Sequence, residues 1–491
     1  MRKTVLLPLF LSSCLASSSS SHGQDEFAAA PAYRTAGFVS QQIISPRASY
    51  ASAVGAGSPA STQPSLAEPR PAEGGSLAAL APALPDTTAP ATAVAPDADQ
   101  PLSVEELERM ALASNPSLVE ARARVRGAQG EWLQVGLKPN TILGYSGQQL
   151  GSDGLAEQRG LYIGQQFVRG RKLELNRQVA AQDIQKAEQQ LAAQERRVRT
   201  DVRLAYNELL IAGRRIEIIQ HLVEMAAEAR RTAEELLRAQ EVSRLDLIRA
   251  QVELQKSELS LRNAHNTQQA AWNQLTAVVG LPQLRFRPLA GPIAGLDQAI
   301  DGEAILNRIL YESPELAAAH AEVERARRAW HRARAEVIPN LDLQAIVQND
   351  RSTGGNNVSV QATMPIPWAN RNQGGIQQAA AEVTKAEQAV ARLELALRHQ
   401  WAVVYRNYAN ARDQIDEYSR EDGILENARK TLDILREAYH AGETNYLDLI
   451  TAQRTYSEVN LAFVESLAEL WSASVELEGI LLRDSLATEI R

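Results

Sequence analysis

Apolar residues recur every seven positions through Ile184, Leu191, Val198, Ala205, Ala212, Ile219 and Ala226, with Val202, Leu209, Ile216 and Val223 as a partner row. Spacing of this kind, held over six heptads, is a coiled-coil seam, and its small residues let helices approach closely. The surrounding run, 171–238, has no proline, and neither has 371–438, so each predicts one long helix. About 68 residues at the helical rise reach roughly 100 Å. Turns follow at Glu241-Val-Ser243 and Ala441-Gly-Glu443, each leading into a returning helix of about 37 residues. Residues 117–136 predict a shorter helix of about 20 residues that ends before Pro139.

Elsewhere the period changes to two. Leu341, Leu343, Ala345 and Val347 alternate with other residues, as do Val358, Val360, Ala362 and Met364, with Arg351-Ser-Thr-Gly-Gly-Asn-Asn357 between them as a turn. The stretches Thr141–Leu150 and Gly160–Val168, parted by Gly151-Ser-Asp-Gly154, read the same way. These are hairpins whose strands, about 9–11 residues long, match the length that crosses a membrane as a barrel.

The two sets of elements are related. Leu245-Asp-Leu-Ile-Arg-Ala-Gln251 recurs as Leu447-Asp-Leu-Ile-Thr-Ala-Gln453, six of seven positions identical. Asn115-Pro-Ser-Leu118 matches Ser313-Pro-Glu-Leu316, Pro139-Asn140 matches Pro339-Asn340, Lys186-Ala-Glu188 matches Lys385-Ala-Glu387, and Tyr206 matches Tyr405. Trp272 with Gly280 likewise matches Trp471 with Gly479. The chain therefore reads as two internal repeats, 101–282 and 311–485, joined by a Pro/Gly-rich linker at 283–310 and followed by a tail at 486–491. In each repeat the returning helix and the leading helix together approach the length of the long one. They can stack end to end against it, giving a slab four helices wide with two hairpins at one end.

Composition adds a compartment. Of 491 residues only 5% are aromatic, and 51 basic residues are well mixed with 59 acidic ones for a net charge of −8. No basic stripe with interleaved aromatics suggests nucleic-acid binding. No run approaches 18 apolar residues, so a membrane crossing would have to be made by strands in a closed barrel. At the amino terminus Arg2 and Lys3 precede Val5-Leu-Leu-Pro-Leu-Phe-Leu11, which reads as a signal peptide over 1–13. The sole cysteine, Cys14, follows Leu11-Ser12-Ser13, a segment that resembles a bacterial lipobox, so Cys14 is the candidate lipid attachment site. A plain signal peptide with an incidental cysteine is the other reading. Residues 14–100, rich in Ser, Ala and Pro, read as a disordered tether.

This layout over residues 101–485 resembles the TolC family of outer-membrane efflux proteins. The resemblance implies a mainly α protomer with one membrane β-hairpin per repeat. It also implies a homotrimer whose 12-stranded β-barrel stands on an α-helical barrel through the periplasm. Pro365-Ile-Pro-Trp-Ala-Asn-Arg-Asn-Gln-Gly374 is similar to a segment of heavy-metal efflux members of the CzcC type, although a well-formed turn and cap without a transport role is the simpler reading of it. Ala441-Gly-Glu-Thr-Asn-Tyr-Leu-Asp-Leu449 is similar to the family's periplasmic tip. The implied partners are a periplasmic adaptor protein, an inner-membrane pump of the RND type and outer-membrane lipid. Candidate adaptor contacts are Val242, Ser243, Gly442, Glu443 and Thr444. Gln240 stands where the second repeat has Gly442, so the two tips need not make equivalent contacts.

Asp246 and Asp448 read in two ways: as charges that cap a helix start, or as an acidic feature favouring cations near a closed tunnel end. Arg436 and Glu437 fall in the zone where relatives hold a gate shut by ion pairs, and they also fit a solvated helix face. No catalytic motif is present, the seven histidines are scattered, and no cofactor or metal site is expected, so the chain reads as a passive duct and not an enzyme. The alternative is a periplasmic coiled-coil scaffold or adaptor without a pore. That reading explains the heptads but neither the signal nor the paired hairpins.

Overall fold

The computed structural model describes residues 101–150, 156–290 and 299–487. The first succession of elements is α1 (Val104–Ser114), α2 (Pro116–Gln134), β1 (Ile142–Leu150), β2 (Ala156–Phe167), α3 (Lys172–Arg238) and α4 (Arg244–Val279). The second is α5 (Gly302–Glu312), α6 (Pro314–Ala335), β3 (Leu341–Asp350), β4 (Asn356–Thr363), α7 (Gln373–Ser419), α8 (Ile424–His440) and α9 (Tyr446–Glu478). The signal segment 1–13, Cys14, the tether 14–100, the first hairpin turn at 151–155 and residues 488–491 of the tail lie outside the described residues.

The helices form a slab whose order follows from their contacts. Both α2 and α4 pack on one side of α3, α6 and α9 pack on its other side, and α7 closes the far flank against α6 and α9. Seventeen residues of α3 are buried and eight of them are alanine, so the contact is a long, thin seam. Each alanine buries little apolar area, and the seam gains its strength from length. Of the predicted rows, Val198, Val202, Ala205, Leu209, Ala212, Ile216, Ile219 and Ala226 are buried, and Ile184, Leu191 and Val223 are half-buried.

Halfway along α3 the stacked helices meet. Asn115, fully buried, caps α2 by accepting from Ser117 N at 2.9 Å and donates through Nδ2 to the carbonyl of Val278 in α4 at 2.7 Å. Pro116 follows at the first helical position, where its missing N–H costs nothing. Leu107, Leu118, Val198, Trp272 and Leu275 fill the core beneath this elbow.

Two expectations are corrected. The segment 371–438 is not one helix: it is cut at Arg420–Gly423 into α7 and α8. Asp422 takes a left-handed conformation (φ 56°), and a Cβ at Gly423 would lie 2.6 Å from the carbonyl oxygen of Arg420. The joint is then fixed by Lys430, which reaches Asp422 at 2.9 Å and Glu426 at 3.0 Å. The absence of proline was the wrong test, because an Asp-Gly pair interrupts a helix as well. The second correction concerns the linker 283–310, which holds all but the last two residues of α5, capped by Asp301. The corresponding α1 is capped by Ser103, whose hydroxyl accepts from Glu106 N at 3.2 Å.

Candidate functional site: a two-faced sheet and a helical tip

The four strands form one antiparallel sheet in the order β1-β2-β3-β4. Register sorts the side chains into two faces. Leu143 pairs with Ile163, Ile163 with Ala345 and Ala345 with Val360; Tyr145 pairs with Leu161, Leu161 with Val347 and Val347 with Val358. This face is apolar and open to solvent, with Leu143 74% and Val360 75% exposed. Between Leu161 and Phe167 on β2, a stretch in which Gln165 is the one polar residue on this face, it extends roughly 20 Å along the strand. Arg159 on the same face bounds it at one end.

On the other face Ser146 pairs with Gly160, Gly160 with Gln348 and Gln348 with Asn357, while Gly164 pairs with Gln344 and Gln344 with Gln361. Gln348 Nε2 donates to Ser146 Oγ at 3.0 Å. Tyr162 lies across Gly144, where a side chain on β1 would overlap its ring. One sheet thus presents a lipid-compatible face and an amide-rich wet face, the pattern of a strand set between bilayer and channel. Its outer strands β1 and β4 each leave one edge unpaired. No helix of the described residues is long and apolar enough to cross a membrane.

At the opposite end of the long helices the two helical hairpins turn side by side. After α3, Gln240 is left-handed (φ 65°), and Glu241 N donates to Leu236 O at 2.9 Å. After α8, Gly442 is left-handed (φ 75°), and Glu443 N donates to Ala438 O at 2.8 Å. Both turns are the same helix-ending loop despite the different residue at its left-handed position. The turn residues Ser243, Gly442 and Glu443 are exposed, while Val242 and Thr444 are half-buried.

The acidic candidates are occupied by local bonds. Asp246 completes a capping box: its amide donates to Ser243 Oγ at 3.3 Å and its carboxylate accepts from Ser243 N at 3.2 Å. The carboxylate of Asp448 accepts from Thr444 Oγ1 at 3.0 Å, while its amide donates to Asn445 Oδ1 at 3.0 Å. Arg436 reaches across to Glu228 on α3 at 3.3 Å, whereas Glu437 is exposed and has no ion pair among the described residues.

Sequence reasoning missed the interior of this tip. Tyr439 (1% exposed) and Tyr446 pack with ring centroids 6.0 Å apart among Ala229, Ala233, Leu432 and Leu449. Burial pushes both phenols above their usual range, reinforced by Asp246 at Tyr439 and by Glu253 at Tyr446. The Tyr439 hydroxyl is buried with no hydrogen-bond partner among the described residues. Arg454 on α9 grips Glu253 on α4 with two bonds, 3.1 and 2.6 Å, and so ties one hairpin to the other. Tyrosines placed three residues before Gly442 and four after it were the available signal. Among the described residues no cluster of His, Cys, Asp or Glu could hold a metal ion.

Residues 305–481 match the outer membrane efflux protein family. Over 387 residues the chain is 24% identical to the cobalt-zinc-cadmium resistance protein CzcC of Cupriavidus metallidurans, spanning 79% of this chain and 91% of that protein. Among solved structures it is similar to the outer-membrane channel OprN, with a TM-score of 0.66 and 19% identity over 78% of this chain and 91% of that one. It is also similar to the outer membrane protein VceC from Vibrio cholerae, with a TM-score of 0.65 and 18% identity over 77% of this chain and 96% of that one. At such identities the two structures establish the fold, mainly helical with a small sheet, as that of outer-membrane channels.

Proposed function

We propose, from the match of residues 305–481 to the outer membrane efflux protein family, that the whole chain is one subunit of a passive outer-membrane efflux duct. The two-faced sheet carries this reading. Four strands with two open edges cannot stand alone in lipid, where each unpaired backbone group costs several kcal/mol. Three copies side by side close twelve strands into a barrel, apolar outside and amide-lined within. Exposed Leu245, Ile248 and Leu259 on the α4 flank and Leu395 and Ile434 on the α7–α8 flank supply the apolar surface for the same closure among helices. The two successions of elements are then copies of one unit.

The helical tip points away from the membrane, toward an adaptor protein and an inner-membrane pump of the RND type. Val242, Ser243, Gly442, Glu443 and Thr444 are the assigned adaptor contacts, and Asp246, Asp448, Arg436 and Glu437 are the assigned charged residues of the gate region. The relationship to a cobalt-zinc-cadmium resistance protein supports metal ions, or other small toxic solutes, as cargo. Cys14 is assigned as a lipid anchor behind the signal at 1–13, with 14–100 as its tether. Intact mass of the mature protein tests this, since diacylation changes it by a fixed increment.

Planar-bilayer conductance tests the duct itself. The purified protein is expected to open pores; absence of conductance from a correctly folded trimer overturns the reading. A pair of arginine substitutions separates the two faces. Val360→Arg on the apolar face is expected to cost about 2–4 kcal/mol of membrane stability and block insertion. Ser359→Arg, its neighbour on the wet face, is expected to insert normally and shift selectivity toward anions.

A further inference from the structure

The chain as a whole is acidic, yet the zone where strands meet helices is not. Segments 131–141, 167–177, 331–341 and 364–375 together hold eight Lys or Arg and three Glu, against a net charge of −8 for the chain. Arg171 is held by Glu174, while Lys172 and Arg332 share Glu336. Lys138, Arg169 and Arg371 are exposed and have no carboxylate partner among the described residues. Arg169 stands two residues beyond Phe167, the last apolar-face residue of β2, and its guanidinium touches Met364 Sδ at 3.3 Å.

The same zone collects aromatic residues. Trp132 near the end of α2 lies under Arg177 at 5.0 Å, and Trp330 near the end of α6 lies under Arg334 at 5.2 Å. The segment from β4 to α7 then adds an exposed pair, Ile366 (73%) and Trp368 (82%). A tryptophan belt with unpaired cations at the border of an apolar band is the composition of a membrane–water interface, where indoles sit among headgroups and long cations reach phosphates. Along β2 and onward, Arg159 and Arg169 bracket the apolar stretch ten residues apart. That is about 33 Å of strand, or roughly 25 Å of membrane depth at a barrel tilt of about 40°.

We propose that this rim binds anionic phospholipid of the periplasmic leaflet, with Ile366 and Trp368 entering the headgroup boundary and Lys138, Arg169 and Arg371 taking the phosphates. The proposal rests on the duct reading, because it needs the sheet to lie in the bilayer. It also gives Pro365–Gly374 a role: the nine residues 364–372 between β4 and α7, against four between β2 and α3, lengthen the rim where it must reach lipid.

Flotation with vesicles separates the two ideas: a protein that does not associate with bilayers overturns the duct reading and this one together. For inserted protein, native mass spectrometry with equal phosphatidylglycerol and phosphatidylcholine reads the rim. Wild type is expected to retain phosphatidylglycerol preferentially, and each cation replaced by glutamine in Lys138→Gln, Arg169→Gln and Arg371→Gln to lower that preference about fivefold. The charge-keeping set Lys138→Arg, Arg169→Lys and Arg371→Lys is expected to hold it. An unchanged preference in the glutamine set, or its loss in both sets, overturns the proposal. Quenching by lipids brominated near the headgroup is expected to fall in Trp368→Phe. If quenching is unchanged and only trimer stability drops, Trp368 packs against another copy, and its lipid role is overturned.

Discussion

The long helix of the first half runs unbroken for 67 residues, whereas its counterpart in the second half is divided into 47 and 17 residues by the joint at Arg420–Gly423. Their surroundings explain the difference. α3 is gripped along both sides, by α2 and α4 and by α6 and α9, so any bend in it would disturb two seams at once. α7 and α8 lie on the flank, and α8 packs chiefly against α9. A helix that braces the whole slab has to be one rod. A helix on the flank can carry a joint, and here the joint sets off the segment that ends at Tyr439 in the tip core. One order of elements thus yields a fixed spine in one half and a jointed arm in the other.

Proline separates these two roles with the largest effect. Leu222 in α3 corresponds to Ile424 by the offset of the Leu-Asp-Leu-Ile motif. Leu222→Pro removes an interior helix bond and collides with the preceding turn, and is expected to cost about 3 kcal/mol or more. Ile424 is the first residue of α8, and Gly423 before it is already extended (φ −73°, ψ −177°), as a residue preceding proline must be. Ile424→Pro is therefore expected to change stability by less than about 1 kcal/mol. Denaturant unfolding in detergent measures both. A tolerated proline at Leu222 would mean that α3 is jointed too.

The tip turns sharpen the comparison at a smaller scale. Gln240 and Gly442 occupy the same left-handed position, but only glycine adopts it without strain. Gln240→Gly is expected to stabilise the first turn and Gly442→Gln to destabilise the second, each by about 1 kcal/mol. Equal and opposite shifts in thermal midpoint would show that the two turns are one structure. A null result for Gln240→Gly would show that the glutamine side chain contributes a compensating contact.

Periodicity made most of the fold legible. The seven-residue spacing of α3 reports a buried face and the alternation in β3 and β4 a two-faced sheet, and both were readable without neighbours. The joint at Asp422-Gly423 and the helices α1 and α5 were not read, although Ser103 followed by Glu106 is a helix-start signal. A short helix leaves too few turns for its period to stand out. The tip was half legible. Asp246 and Asp448 stood out as charges; Asp246 completes the cap of α4, whereas α9 is capped by Asn445 and the Asp448 carboxylate binds the Thr444 hydroxyl. Tyr439, Tyr446 and the Glu253–Arg454 bond depend on which helices lie side by side. That information sits in tertiary packing and in no local pattern.

The contact between the halves gives the smallest effect. Lys186 on α3 reaches Glu322 on α6 at 3.1 Å, and Arg325 holds the same carboxylate at 2.6 Å. Burial alone would raise the Glu322 carboxyl; the bonds from Arg325 and Lys186 outweigh it and hold the group below the usual glutamate range. A depressed carboxyl contributes stability above its unfolded pKa, near ~4.3, and loses it as pH falls through the lower folded value. Asp183 beside Arg325 has the opposite sign, since burial raises it and Arg325 offsets only part of that. Its raised pKa favours the folded state on acidification, so Asp183 blunts the loss caused by Glu322. Glu322→Gln is accordingly expected to flatten the acid side of the stability curve, and Asp183→Asn to steepen it, each by less than about 1 kcal/mol for partly exposed groups. If both substitutions move the curve in one direction, α3 and α6 are not held by this cluster, and the other ion pairs between the halves, such as Arg454–Glu253 and Lys172–Glu336, carry the polar contact.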